Sequence, residues 1–195
     1  EKYDICPIYI DKNSEWFEVI NIESEEKKSL NNVMEFLKNF DVIFPVLHGL
    51  YGEDGTIQGL FELLKVPYVG CKVLASSVGM DKVYSNIIFD KAGINQAKYV
   101  YIKKYEDNYI YVDESFNEEI LSIEDISNKI INKISFPMFV KPSNSGSSVG
   151  ISKANNKKEL ENAIVEAARF DRKILIEQGI NKNKIVVVKD KIIIK

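Results

Sequence analysis

The sequence is short of the features that mark several protein classes. It has two cysteines in 195 residues, Cys6 and Cys71, too few for a disulfide framework and suited to free thiols in a reducing cytosol. It has no large excess of either charge. Twenty-six basic residues face 29 acidic ones, a net charge of −3, which leaves no footprint for nucleic acid. No apolar run approaches the roughly 18–20 residues of a membrane span, and no signal peptide opens the chain. A cytoplasmic protein without membrane or nucleic-acid partners is therefore expected. Arginine is scarce: only Arg169 and Arg172 stand among the 26 basic residues. The remaining lysines, beside many Ile and Asn, give the composition of an AT-rich genome. An initiating Met is also lacking. The chain opens at Glu1-Lys2-Tyr3 and runs straight into strand-like Tyr3–Ile10, so a piece of something longer is expected.

What is present is an ordinary globular composition, 45% hydrophobic and 28% charged, long enough for one large domain or two small ones. Residues 3–10 and 16–20 read as strands. Leu30, Val33, Met34 and Leu37 have helical spacing, which predicts a helix over 29–38. Asp41–Leu47 is nearly all apolar, as in a strand buried on both faces of a parallel sheet. A helix over 55–64 and a short strand over 66–70 follow. Alternating strands and helices argue for an open α/β layer. Beyond a boundary near 75–79 the pattern changes to α+β. Ser76 or Ser77 can cap one helix that runs through Met80, Val83, Ile87 and Ile88 to Gly93. Strand-like 98–102 precedes a variable acidic stretch around 105–125. Helices are predicted over 123–134 and 157–169, with strands over 136–141, 149–152 and 173–178. A hairpin is predicted over 185–188 and 192–194.

Four segments carry chemistry-bearing residues. His48-Gly49-Leu50-Tyr51-Gly52-Glu53-Asp54-Gly55 follows the apolar run directly. Ligands bind at the carboxyl ends of strands in open α/β sheets, and glycines allow close backbone approach. Met80-Asp81-Lys82 places a lysine on the helix that opens the second half. Lys141-Pro142-Ser143-Asn144-Ser145-Gly146-Ser147-Ser148-Val149-Gly150 joins a strand-end lysine to a loop of small residues. Backbone N–H groups in such a loop can converge on phosphate oxygens, with hydroxyls and a lysine adding donors. This is not the Walker signature, which ends in Gly-Lys-Ser/Thr and opens a helix. Finally, Glu177-Gln178-Gly179-Ile180 sets a carboxylate and backbone at a strand end, where they could pair with adenine. Taken singly, each is also what a solvated lysine, a capped turn or a hairpin loop would show.

Their order and surroundings are more specific. His48-Gly49 followed by Gly52-Glu53-Asp54-Gly55-Thr56-Ile57-Gln58-Gly59 resembles the D-alanine–D-alanine ligases of the ATP-grasp superfamily. So does Gly146-Ser147-Ser148-Val149-Gly150-Ile151 after Lys141-Pro142, with Pro67–Gly70 and Met80–Lys82 in their expected places. The likeness runs from about Pro45 to Ile180. It implies an α/β fold: a partial pre-ATP-grasp domain with an open parallel sheet over 1–77, then an α+β ATP-grasp lid over 78–180. Residues 181–195 would start a C-terminal domain or form a divergent tail.

The resemblance also implies a reaction. Two D-alanines are joined for peptidoglycan. ATP phosphorylates the first carboxylate, and the second amine displaces phosphate from the acyl phosphate. Lys82 and Lys141 would hold ATP phosphates. Ser145, Gly146, Ser147, Ser148 and Val149 would close over the nucleotide, with Ser147 and Ser148 near the reacting groups. Glu177 would face adenine beside Gln178, Gly179 and Ile180, and His48 would lie near the first substrate. D-alanine, ATP and Mg²⁺ are the implied small molecules; a homodimer is left open.

Departures from the family pattern bear on activity. No Gly-rich loop with a Ser and a Glu stands at the start. Beyond Glu177 there is one acid, Asp190, and no arginine, so no carboxylate magnesium site can be assembled there. The family's ribose-binding Glu falls at Lys184. These 195 residues alone are therefore expected to be inactive. The alternatives are a ligase using D-serine or D-lactate second, another ATP-grasp carboxylate–amine ligase, and a non-catalytic remnant.

Overall fold

The computed structural model describes residues 2–146 and 148–180, with the backbone of 185–188 and 191–194. In chain order the elements are β1 (Ile8–Ile10), β2 (Trp16–Asn21), β3 (Glu26–Ser29), α1 (Val33–Leu37), α2 (Thr56–Leu64), α3 (Val73–Met80) and α4 (Lys82–Lys91). There follow β4 (Tyr99–Tyr105), β5 (Asn108–Val112), β6 (Glu118–Leu121), α5 (Ile123–Lys133), β7 (Met138–Pro142), β8 (Ser152–Ala154), α6 (Lys157–Ala167) and β9 (Lys173–Gln178). The predicted C-terminal hairpin is β10 (Ile185–Val188) with β11 (Lys191–Ile194), paired antiparallel. Two compact units divide the chain: residues 1–45 with 59–70, and residues 46–58 with 71–195.

The first unit carries an antiparallel sheet in the order β1-β2-β3, with Tyr9 opposite Phe17 and Phe17 opposite Ser29. Its turns are built from short polar side chains. Asp11 Oδ1 accepts from the N–H groups of Asn13 and Glu15, each at 2.8 Å, and Asn21 Oδ1 accepts from those of Glu23 and Ser24. Helix α1 is shorter than its spacing predicts, starting at its Asn32 cap. The expected parallel sheet is reduced here to one bridge, Ile43 to Tyr68. The expected strand over 41–47, buried on both faces, does not form: Val42 is 53% and Phe44 70% exposed. Among the described residues no strand lies along the other side of this segment, so its apolar side chains have nothing to be sandwiched by.

The second unit is built around a six-stranded antiparallel sheet in the order β6-β5-β4-β9-β7-β8. Side chains alternate between its faces. Ile174 and Ile176 of β9, Val140 of β7 and Ile102 of β4 point to one face and pack with Ile126 and Ile130 of α5 and Leu160 and Ile164 of α6. Leu175, Tyr101, Ile110 and Val112 point to the other, with Val83 of α4. The acidic stretch around 105–125 holds two of the strands, β5 and β6. The single helix expected from Ser76 or Ser77 to Gly93 is instead two. Asp81 has extended backbone, φ −87° and ψ 102°, and its carboxylate accepts from the N–H groups of Val83 and Tyr84. That cap ends α3 and starts α4 at the Met80-Asp81-Lys82 motif.

Candidate functional site

Lys82, Lys141 and Glu177 are drawn together in the second unit. Lys141 of β7 and Glu177 of β9 lie on adjacent antiparallel strands, with Lys141 opposite Leu175 and Phe139 opposite Glu177, so the two are diagonal neighbours on one face. They form an ion pair through Glu177 Oε2. The other oxygen of Glu177 accepts from Asn86 Nδ2 of α4 at 3.1 Å. Lys82 opens α4 and donates from Nζ to the carbonyl oxygens of Ser143, at 3.2 Å, and Ser145. These acceptors are neutral, so they hold the ammonium without cancelling its charge. Burial lowers the Lys82 pKa, and the neighbouring charge of Lys141 lowers it further. A bound anion would relieve both effects, and one of the three Lys82 donors remains for it.

A buried knot of polar groups fixes Lys82 to the end of β7. Ser143 is fully buried. Its hydroxyl donates to Asp81 Oδ1 at 2.6 Å and accepts from the Val83 N–H at 3.2 Å. Its carbonyl accepts from the Lys82 N–H at 3.1 Å and its N–H donates to the Lys173 carbonyl at 2.9 Å. Lys173 pairs with Asp81 Oδ2, its ammonium 3.9 Å from the Tyr84 ring centroid. Burial pushes the Asp81 carboxyl up. The hydrogen bonds from Lys173, Ser143 and the Tyr84 N–H outweigh this and hold it below its ordinary value.

The small-residue loop starts from a firm base. Asn144 donates from its backbone and side chain to Asp171 Oδ2, at 2.7 and 2.9 Å. The Ser145 hydroxyl donates to the Val149 carbonyl at 3.1 Å, and the Val149 N–H to the Gly146 carbonyl at 3.1 Å. Ser148 has a left-handed backbone, φ 64°. Gly150 has φ +71°, and a Cβ there would lie 2.7 Å from Pro142 Cγ and 2.6 Å from the Phe170 ring. Only glycine fits this return. Ser147 lies outside the described residues, as do Lys184 and Asp190. At the other strand end, the N–H groups of Gln178 and Gly179 are engaged by the carbonyls of Lys98 and Pro137, at 2.8 and 2.7 Å. These two groups are thus not exposed donors.

The His48 segment belongs to the same unit. His48 is exposed. The Gly49 N–H donates to Glu53 Oε2 at 2.6 Å, and Asp54 accepts from the N–H groups of Tyr51 and Thr56. Burial pushes the Asp54 carboxyl up, but these bonds prevail and hold it below its ordinary value. The Ser77 hydroxyl of α3 donates to the Asp54 carbonyl at 2.7 Å. Gly55, at φ +95°, lies so close to α3 that a Cβ would sit 2.3 Å from Ser77 Oγ. Glycine at 55 is thus required to seat this loop on the helix preceding Asp81 and Lys82.

Of the residues the sequence singles out, the structure brings Lys82, Lys141 and Glu177 together, while Asp81, Asn86, Ser143, Asp171 and Lys173, which surround them, have no role assigned from the sequence. Asp81 and Ser143 stand inside the sequence motifs, but the partners that give these residues their place in the site are far away in the chain. The family model described as D-ala D-ala ligase N-terminus matches residues 1–71, and that described as D-ala D-ala ligase C-terminus matches 88–191. The chain belongs to the D-alanine–D-alanine ligase family. The D-alanine–D-alanine ligase of Acetivibrio thermocellus is 57% identical over 160 residues, covering 82% of this chain and 39% of that protein. The Clostridium acetobutylicum ligase is 47% identical over 197 residues, covering 95% and 54%. The chain thus spans about half the length of the curated ligases it matches, or less. Among solved structures, the VanG D-Ala:D-Ser ligase from Enterococcus faecalis has a TM-score of 0.76 at 31% identity, covering 99% of this chain and 59% of its own. The D-alanine–D-alanine ligase from Coxiella burnetii, at 24% identity and a TM-score of 0.69, shares the fold. No described helix is long and apolar enough to cross a membrane.

Proposed function

We propose that the protein is an ATP-dependent ligase that makes D-alanyl-D-alanine for peptidoglycan through an acyl phosphate, in the cytoplasm. Family membership supports the reaction class. The observation that carries the site is the meeting of Lys82 and Lys141 with Glu177, the last two set diagonally across adjacent antiparallel strands on one sheet face. Lys82 and Lys141 bind the phosphates. Glu177 accepts from the adenine amine once Lys141 turns to the nucleotide. The loop from Ser145 to Val149 covers the phosphates, and Ser148 lies near the transferred group. Gln178, Gly179 and Ile180 flank the base, Gln178 and Gly179 through atoms other than their engaged N–H groups. His48 stands by the first substrate. We read residues 1–77 as a partial pre-ATP-grasp domain, 78–180 as the ATP-grasp lid and 181–195 as the start of a C-terminal ATP-grasp domain or a divergent tail.

Phosphoryl transfer relies mainly on positioning and charge neutralisation, which two lysines on a buried framework supply. The first D-alanine carboxylate takes the γ-phosphoryl group and ADP leaves. The second amine then attacks the acyl carbon and expels phosphate. Water must be kept from that intermediate, which is the task of a closing loop. Among the described residues no group of three or more His, Cys, Asp or Glu could hold a metal ion. The residues described do not fit a magnesium site, and no step here is routed through one.

The likeness to a D-Ala:D-Ser ligase favours a second reading, D-serine as the second substrate. Phosphate release by the protein as its gene encodes it, with ATP, Mg²⁺ and D-alanine, then with D-serine or D-lactate added, separates these. Release dependent on D-alanine alone is expected. Release that requires D-serine or D-lactate, or that ignores D-alanine, contradicts the proposal. In the same assay Lys141→Ala should lower turnover on the order of 10²–10³-fold. Near-normal turnover would make Lys141 a solvated lysine.

A further inference from the structure

Both carboxylate oxygens of Glu177 are held, one by Lys141 and one by Asn86. Asn86 lies 91 residues away on α4, and it is braced from behind. Gln96 Nε2 donates to the backbone carbonyl of Asn86 at 2.8 Å and to Asp90 Oδ1 at 2.5 Å. Asp90 Oδ2 accepts from the Tyr99 hydroxyl at 2.6 Å. Tyr99 sits directly opposite Glu177 in the β4–β9 register. The circuit therefore starts at Glu177 and returns to its cross-strand neighbour.

The chemistry of this arrangement is selective. An ionised carboxylate only accepts hydrogen bonds, and its two oxygens offer about four lone-pair positions. A neutral amide donor orients it without cancelling its charge, as a second cation would. The remaining lone pairs are suited to a ligand that donates. The exocyclic amine of adenine donates; the carbonyl oxygen at the same position of hypoxanthine accepts and would be repelled.

We propose that Asn86, braced by Gln96, Asp90 and Tyr99, is a positioning residue that fixes Glu177 to select an amino purine over an oxo purine. This rests on the reading of Glu177 as the adenine acceptor.

The test is the affinity of the protein, as its gene encodes it, for ATP and for ITP, which differ in that one group. Unaltered protein should prefer ATP, and Glu177→Gln should erode the preference, which tests the Glu177 reading by itself. Asn86→Ala should reduce the preference about tenfold, as expected for a hydrogen bond to a charged group. Asn86→Asp, of nearly the same shape, should reduce it at least as much, because a second carboxylate then faces Glu177. Gln96→Ala should give a smaller loss in the same direction, with thermal melts confirming that each variant folds. Loss of preference in Glu177→Gln with retention in both Asn86 variants overturns the proposal and leaves the Glu177 reading standing. Retention in Glu177→Gln, or equal binding of ATP and ITP by the unaltered protein, overturns both.

Discussion

The two units put similar apolar residues to opposite use. In the second, every strand of the six-stranded sheet has a partner, and helices α5 and α6 close one face over Ile102, Val140, Ile174 and Ile176, each fully buried. In the first, Leu37, Phe61 and Val66 are the buried apolar residues, while Ile5, Val42, Phe44 and Leu63 stand largely exposed. Apolar content therefore does not by itself make a core. Strands in both units have hydrogen-bonded partners, but among the described residues only the six-stranded sheet has its faces covered by a packed apolar layer. The packed second unit is also where Lys82, Lys141 and Glu177 are held.

The sharpest way to break this contrast is to remove core volume. Ile164→Ala in α6 should destabilise the protein by about 2–5 kcal/mol, through lost burial and the cavity left behind. Phe44→Ala should change stability by no more than about 0.5 kcal/mol, since its ring is mostly in water already. Urea unfolding of both variants decides this, and comparable losses would remove the distinction.

Next in size is the polar knot. Asp81→Asn leaves Lys173 without its counter-charge, at a cost of roughly 3 kcal/mol at neutral pH. The Asp81 carboxyl is held below its ordinary value, so its stabilisation is fully present above about pH 3.9 and is lost as pH falls through the lower folded value. The gap between wild type and Asp81→Asn should therefore close in acid. Urea melts at pH 7 and at progressively lower pH measure it, and a gap independent of pH would contradict the assignment. Smaller again is Gly150→Ala. A left-handed backbone and the Pro142 ring against the new Cβ should cost about 1–3 kcal/mol, and unchanged stability would mean that the loop return relaxes freely.

Legibility in the sequence follows the same division. Strand β9 and helices α2 and α6 have strong local periodicity and lie where the sequence places them. Strand β3 is missed because Glu26-Lys27-Lys28-Ser29 is exposed throughout and has no apolar alternation. Strand β5 is missed because acidic neighbours obscure Tyr109–Val112, whose burial comes from the clusters on the two faces of the sheet. The run 41–47 misleads in the other direction, being strand-like in composition but lacking strand partners. Gly79 lies inside α3 and does not place the break, which falls at Asp81 and is braced by Ser143 and Lys173, 62 and 92 residues away. Within the site, the lysines and Glu177 stand in recognisable motifs. Asn86 and Ser143 have meaning only after the chain has folded.

The central claim is that the sheet face bearing Lys141 and Glu177, with Lys82 of α4, binds the nucleotide. Hydrogen exchange on the protein as its gene encodes it, with and without a non-hydrolysable ATP analogue and Mg²⁺, tests it most directly. Exchange over 142–146, 148–150 and 177–180 should slow on binding, while the β1-β2-β3 sheet stays unchanged. Unchanged exchange at those segments, with the analogue bound elsewhere, would contradict the account.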